Sequence, residues 1–160
     1  MKVTPYALAT SLMLLLTSCG EEKRDTEDTA ATPDQTSEYT YDHEVVVPDL
    51  EIGWGFAFLP DGSMLITEKS GELIHFKDGE KTQVAGAPDV YLRGQGGFLD
   101  VFLHPDYENN GWIYFTYASS EGEGDGGNTA LMRAKLQDGQ LVEKEDLYKA
   151  VTNTTQGVHF

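Results

Sequence analysis

Two stretches of the chain share one pattern of strand and turn. Gly55-Phe56-Ala57-Phe58-Leu59 leads into Pro60-Asp61-Gly62, and Leu99-Asp100-Val101-Phe102-Leu103 leads into His104-Pro105-Asp106. The two copies are about 45 residues apart, which falls within the 40 to 50 residues typical of one β-propeller blade. This repeat limits the possible folds more than any other feature, because such a unit can bury its apolar faces only by packing against further units.

The first copy continues as three more short strands. We predict them at Met64 to Thr67, Glu72 to Phe76 and Lys81 to Val84, with turns at Ser70-Gly71 and Asp78-Gly79. Asp-Gly between two strand-like stretches is typical of a tight hairpin. Four antiparallel strands joined in this way make one blade.

The second copy follows the same plan. Its strands are predicted at Trp112 to Tyr117 and at Thr129 to Leu136, and Asp138-Gly139 forms the hairpin turn at the equivalent place. No apolar pattern with a period of 3.6 residues is long enough to indicate a substantial helix. The sequence therefore predicts an all-β fold, a β-propeller of which residues 45–160 form about two blades. Since a propeller closes with at least about four blades, we expect the chain to be the N-terminal part of a longer protein.

The first 18 residues have the pattern of an export signal. Lys2 precedes an apolar run from Tyr6 to Leu16 that is too short to span a bilayer. Leu16-Thr17-Ser18-Cys19 resembles the lipobox of bacterial lipoproteins, in which the cysteine receives a diacylglycerol. Cys19 is the only cysteine of the chain, so it cannot form an internal disulfide, and lipidation gives it a role. An ordinary cleaved signal with a free thiol is the alternative.

Residues 19–44 are interpreted as a disordered acidic tether, because the stretch is rich in Glu, Asp, Thr and Ala and its core has no large apolar residue. The expected location is a membrane lipoprotein that faces the periplasm or lies at the cell surface. Gly20 after the cysteine favours the outer membrane over inner-membrane retention. The chain has 27 acidic and 11 basic residues and a formal net charge of -16, which disfavours a nucleic-acid partner.

Candidate ligand-binding residues come from the expected geometry of a propeller. The innermost strand of each blade lines the central channel, and the residues at its start lie at the channel mouth, where ligands bind. Trp54, Gln95 and His159 occupy such positions. The segment Arg93-Gly94-Gln95-Gly96-Gly97 is either a simple turn or a loop whose glycines let the backbone approach a ligand. His159 is either a structural histidine or a base, and the residues alone leave both readings open.

Several separated motifs occur in the order found in one known family. They are Trp54 to Gly62, Arg93 to Val101, Leu103 to Tyr107, and the terminal His159-Phe160. Together they resemble the PQQ-dependent soluble aldose sugar dehydrogenases, also called the glucose/sorbosone dehydrogenase family. The resemblance runs from about Ile52 to Phe160, with Gly53 standing where many members have proline.

This resemblance implies a six-bladed propeller that holds pyrroloquinoline quinone (PQQ) and calcium at the channel mouth. It also implies oxidation of aldose sugars at the anomeric carbon to lactones, with hydride transfer to the quinone and electrons passed to a respiratory acceptor. By position, His159 corresponds to the catalytic histidine and Gln95 to the glutamine beside cofactor and substrate. The basic cofactor-binding residues and most calcium ligands of the family are expected beyond residue 160, so residues 1–160 alone are expected to be inactive.

Two other functions remain as alternatives to the dehydrogenase. A propeller of this kind can serve as a non-catalytic binding module, since fold does not fix function. A calcium-dependent lactone hydrolase needs channel-facing carboxylates, and the visible positions hold Trp54, Gln95 and His159 instead. We interpret His104 as a hydrogen-bonded cap of a strand end and Glu121 to Asn128 as a solvated hairpin loop. No set of Cys, His and carboxylate residues has the spacing of a transition-metal site.

Overall fold

The structure, a computed structural model, describes residues 40–156 of the 160-residue chain. This part contains eight strands and one short helix. In chain order they are β1 (Gly53–Phe58), β2 (Met64–Glu68), β3 (Leu73–Lys77), β4 (Glu80–Val84), β5 (Phe98–Leu103), α1 (Tyr107–Asn110), β6 (Trp112–Ser119), β7 (Asn128–Gln137) and β8 (Gln140–Lys149).

Several predictions fall outside the described residues. They concern the signal peptide at 1–18, the lipidation of Cys19, most of the tether at 19–44, and His159. Within the described part, residues 40–44 are exposed. No helix between residues 40 and 156 has the length and apolar character needed to cross a membrane.

The strands form two four-stranded antiparallel sheets, each with its strands in chain order. The first sheet contains β1 to β4 and the second contains β5 to β8. This arrangement confirms the all-β class and the repeated four-stranded unit, and the two sheets are two blades of a β-propeller. The predicted strands agree with the observed ones to within one or two residues at most ends.

The two Asp-Gly hairpins have the geometry that the sequence predicts. Asp78 and Gly79 have φ values of 52° and 84°, and Asp138 and Gly139 have 49° and 76°. Two consecutive positive φ values define the type I′ turn, whose twist matches that of the strands it joins. These turns fix the registers of β3 with β4 and of β7 with β8.

The helix α1 was not predicted. It is a single turn after β5, and it ends at Gly111, which has a φ of 69° and donates its backbone N–H to the Tyr107 carbonyl at 2.7 Å. Because α1 spans four residues and none of them is buried, it leaves no apolar periodicity in the sequence.

The main core lies between the facing sides of the two sheets. Phe98 and Phe115 are fully buried with their ring centroids 5.6 Å apart. They pack in a cluster whose other members include Leu65, Leu73, Val84, Val101, Ile113, Met132, Ala134 and Leu141. Full burial of each large apolar side chain contributes roughly 1.5 to 3 kcal/mol. This shared core holds the two sheets together.

Thr67 forms a polar junction inside this apolar layer. Its side chain is fully buried at the point where the first sheet meets β5. The hydroxyl accepts a hydrogen bond from the Gly55 N–H at 2.9 Å and donates one to the Leu99 carbonyl at 2.5 Å. Gly55 itself lies so close to β5 that a Cβ atom there would be 2.6 Å from Asp100 Oδ1. One side chain thus ties the two sheets at a fixed distance.

The opposite side of the first sheet is an exposed apolar face. Trp54, Phe56 and Phe58 project from it with exposed fractions of 45%, 62% and 62%. They border a groove of about 440 Å³ that also contacts Val46, Leu50, Met64 and Ile66. A soluble domain rarely leaves such a patch uncovered. In a propeller, both sides of a sheet pack against neighbouring sheets.

Replacing Thr67 with Val should loosen the contact between the two sheets. Valine has a similar shape but leaves the Leu99 carbonyl and the Gly55 N–H without their partner. We expect the free energy of unfolding to fall by about 1 to 3 kcal/mol, the cost of buried unsatisfied groups. Urea unfolding measures this, with Thr82→Val on the exposed strand β4 as the matched control. Equal stability of the two variants would contradict this role for the hydroxyl.

Candidate functional site

The candidate site lies at the end of both sheets where β1 and β5 begin and where β2 and β6 end. We call it the upper end. Glu68 pairs there with Gly53, and Phe98 pairs with Tyr117. Trp54 is the second residue of β1, and Gln95 is exposed three residues before β5. The structure thus brings two of the three predicted channel-mouth positions to the upper end, while His159 lies outside the described residues.

The segment from Arg93 to Gly97, here called the Gln95 loop, is a tight turn. The Gly96 N–H donates to the Arg93 carbonyl at 2.8 Å, and Gly97 accepts from the Ala118 N–H at 2.9 Å. Gly97 has a φ of 152°, and a Cβ atom there would lie 2.3 Å from the backbone oxygen of Lys69. Only glycine fits this position. The segment therefore forms a turn, and this turn presents Gln95 at the upper end.

Lys69 holds the Gln95 loop from the first sheet. Its ammonium donates to the Gly94 carbonyl at 2.6 Å, and its own backbone carbonyl accepts from the Phe98 N–H at 3.2 Å. These two bonds lie on either side of Gln95. The sequence analysis missed this residue, because it pairs with partners 25 or more positions further along the chain.

Glu68 fixes the segment that leads into β1. It is 3% exposed, and its two carboxylate oxygens accept the backbone N–H groups of Glu51 and Ile52 at 3.0 and 2.8 Å. Such charge-assisted bonds compensate the desolvation of a buried carboxylate. Glu68 therefore holds in place the segment that leads into Trp54.

A cavity of about 290 Å³ opens between these elements. It is lined by Glu51, Ile52, Glu68, Lys69, Arg93 and Gly94, among others. Both oxygens of Glu68 already accept backbone hydrogen bonds, and the ammonium of Lys69 is bound to Gly94. Arg93, the first residue of the Gln95 loop, therefore supplies the remaining basic side chain among these lining residues, in a chain with a formal net charge of -16.

A second polar cluster at the upper end joins the loop between β6 and β7 to the segment after β8. Asn153 donates its amide to the carbonyls of Ser120 and Gly124 at 3.0 and 2.9 Å. These bonds fix the orientation of the amide, so its oxygen accepts from Asn128 at 2.6 Å. The oxygen of Asn128 has no partner in the described part of the chain. The segment that leads toward His159 is thus anchored six residues before that histidine.

The loop at residues 120–127 connects β6 to β7, as the hairpin interpretation predicts. Among residues 40–156, no three His, Cys, Asp or Glu side chains lie close enough together to hold a metal ion. Sequence reasoning missed the contact of this loop with Asn153, and an asparagine just after a strand was the one local signal.

His104 has a structural role after β5, which confirms the cap interpretation. Its Nδ1 accepts the Asp106 N–H at 2.9 Å and lies 2.8 Å from the Asn110 amide nitrogen. The ring stacks on Tyr114 with centroids 6.0 Å apart. One ring face and one ring nitrogen of His104 therefore contribute to the turn that contains α1.

Asp61, Ser63 and His75 meet at the opposite end of the first sheet. The Ser63 hydroxyl donates to Asp61 at 2.6 Å, so its oxygen is the acceptor for His75 Nε2 at 2.8 Å. A serine whose proton points at the carboxylate is not activated as a nucleophile by the histidine. The bonds from Lys77 and Ser63 hold the pKa of Asp61 well below its ordinary range. This cluster stabilises the Pro60-Asp61-Gly62 turn.

Comparison with known proteins identifies the family. A family model described as Glucose / Sorbosone dehydrogenase matches residues 50–160. The chain belongs to this family. The matched region contains the upper end, including Gln95, and extends to His159, so the resemblance seen in the motifs is confirmed.

Relatives of the family include proteins with named activities. The chain is 35% identical over 126 residues to the aldose sugar dehydrogenase YliI of Escherichia coli strain K12, covering 76% of this chain and 34% of that protein. The structure of the soluble aldose sugar dehydrogenase from Escherichia coli in its apo form matches with a TM-score of 0.68 and 34% identity, covering 73% of this chain and 35% of the other. The PQQ-bound aldose sugar dehydrogenase from Streptomyces coelicolor matches with a TM-score of 0.58 and 25% identity, covering 67% and 33%.

The chain is short beside these family members. It spans 40% and 34% of the length of the curated relatives it matches.

The upper end offers groups that suit PQQ, a planar quinone with three carboxylates. Arg93 supplies a cation for a carboxylate, the Gln95 amide can donate and accept, and the glycines on either side let the backbone come close. Trp54 lies at the same end of the sheets, but its side chain borders the exposed apolar groove and does not line the cavity beside Arg93. The described residues therefore fit the cofactor found in the Streptomyces coelicolor structure.

Replacing Gly97 with Ala should disrupt the Gln95 loop. The new Cβ would collide with the Lys69 carbonyl oxygen, in addition to the strain of a positive φ. Gly79→Ala is the matched control, because Gly79 has a φ of 84° but nothing within 4 Å of its Cβ position. We expect G97A to cost about 2 kcal/mol more than G79A, as a backbone clash adds to conformational strain. Thermal unfolding of both variants measures the difference, and equal costs would refute the steric constraint.

The Asp61 carboxylate should make the stability depend on pH. Its folded pKa is lower than its unfolded value of 3.8, so its contribution is present above about pH 4 and is lost as the pH falls toward the folded value. Asp61→Asn should therefore destabilise the protein at about pH 6 and have a smaller effect at about pH 2. Urea unfolding at both values measures this, and NMR titration of Asp61 in Lys77→Met should show a raised pKa. An effect of D61N that is the same at both pH values would contradict this interpretation.

Proposed function

We propose that this chain carries part of the active site of a PQQ-dependent aldose sugar dehydrogenase. The observation that supports it most is the Gln95 loop, a glycine-rich turn held at the upper end of two propeller blades within the region that matches the family. The named relatives are aldose sugar dehydrogenases, and one of them was solved with PQQ bound. The substrate proposed here is thus an aldose sugar.

Gln95 and His159 would have different roles at the sugar. The Gln95 amide, with one acceptor oxygen and two donor hydrogens, would orient the sugar beside the cofactor. His159 as a neutral imidazole would accept the proton of the anomeric hydroxyl as the carbon is oxidised, a role suited to a group with an unperturbed pKa of about 6.5. The product would be the lactone.

Arg93 and Gln95 are the described residues that would hold PQQ. When bound, PQQ supplies the two-electron acceptor that takes the hydride from the anomeric carbon, and the electrons then pass to a respiratory acceptor. We also propose calcium as the family's second cofactor, with most of its ligands in the part of the relatives that this chain does not span.

The proposed location of this reaction is outside the cytoplasm. Cys19, in the lipobox-like sequence Leu16-Thr17-Ser18-Cys19, would anchor the protein to a membrane, with the outer membrane preferred. The acidic stretch at residues 19–44 would act as the tether between lipid and propeller. Mass spectrometry of the mature N-terminus, with Cys19→Ser as control, tests the anchor.

Activity of the full-length protein tests the function. Dye reduction with a panel of aldoses should require PQQ and calcium, and His159→Ala should lower kcat by about 10² to 10⁴, the contribution of a general base. His43→Ala, an exposed histidine, is the matched control and should remain active. No aldose oxidation and no PQQ binding by the wild-type protein would favour the non-catalytic binding module instead.

A further inference from the structure

We propose that Lys69 is a positioning residue that holds Gln95 in its functional orientation. This proposal rests on the proposed function, since it concerns the same glutamine. Lys69 lies directly after β2 and bonds to a residue before Gln95 and to a residue after it. Its ammonium bonds to Gly94, and its carbonyl bonds to Phe98.

The Gln95 loop needs hydrogen bonds from residues outside the loop to hold one conformation. Three of the five residues in this segment, Gly94, Gly96 and Gly97, are glycines, and glycine has the largest conformational freedom to lose on ordering. The internal bond from Gly96 to Arg93 closes only the first part of the loop. Without an anchor at Gly94, the backbone at Gln95 could adopt many orientations.

Lys69 provides a rigid base for this anchor. Its backbone N–H donates to the Ile52 carbonyl at 2.9 Å. The preceding residue, Glu68, is buried and accepts two backbone hydrogen bonds, and Thr67 before it ties the sheet to β5. The lysine therefore extends from a part of the first sheet that buried hydrogen bonds hold in place.

The bond from Lys69 to Gly94 is the part of the anchor that a side-chain substitution can remove. At 2.6 Å it joins a charged donor to a carbonyl, a stronger type than a bond between neutral groups. The backbone bond to Phe98 remains in any variant. Substitution at Lys69 should therefore release the loop at Gly94 while β5 keeps its register.

Amide hydrogen exchange of the full-length protein, without cofactor or sugar, tests the anchor. In Lys69→Met, which keeps the aliphatic chain, peptides covering residues 93–97 should exchange about tenfold faster, as expected for loss of a hydrogen bond from a charged donor. Lys69→Arg should restore slow exchange. Lys77→Met is the matched control, because Lys77 pairs with Asp61 at the opposite end of the sheet. Unchanged exchange in K69M would overturn the proposal.

Steady-state kinetics of the PQQ-loaded protein distinguishes a positioning role of Lys69 from an effect on stability alone. K69M should lower kcat/KM for the aldose about tenfold, with recovery in K69R, while the melting temperature stays close to that of K77M. Unchanged kcat/KM despite faster exchange would also overturn the role in positioning. A wild-type protein that oxidises no aldose would refute the proposed function instead, and the exchange measurement shows independently whether the anchor exists.

Discussion

The hydrogen bond from the buried Thr67 hydroxyl to the Leu99 carbonyl is the contact on which the rest of the structure depends. It lies where the first sheet meets β5, and it sets the distance at which the two apolar sides pack. The bond is made inside an apolar layer, so its loss would leave a buried acceptor unsatisfied. Gly55 contributes by allowing the strands to approach closely. The shared core then fills the space that this junction defines.

The candidate site continues directly from that junction. Thr67, Glu68 and Lys69 are consecutive, and each contacts a different element: β5, the segment before β1, and the Gln95 loop. A short piece of one strand therefore sets the relative positions of Trp54 and Gln95. This arrangement explains how a loop rich in glycine can present Gln95 from a defined backbone geometry.

Much of this fold could be predicted from local patterns, whereas the contacts at the site could not. The repeat spacing and the Asp78-Gly79 turn depend on neighbouring residues, and both predict the observed sheets. Lys69 and the pair of Asn128 and Asn153 act through partners 25 or more positions away, which no local pattern reveals. The position of Gln95 at the start of an inner strand was predicted from the propeller repeat, and its role from the family resemblance. Its support by Lys69 is visible only in the structure. The role of His159 remains a prediction.

The aromatic face formed by Trp54, Phe56 and Phe58 has a consequence for biosynthesis. Ribosomes deliver N-terminal segments first, at about 5 to 20 residues per second, and domains fold as their parts emerge. Two sheets can assemble around their shared core early, but this face stays open to water until another layer covers it. During that interval, two nascent chains can aggregate through this exposed aromatic face. A chaperone that binds exposed aromatic surfaces would therefore find a binding site on this face.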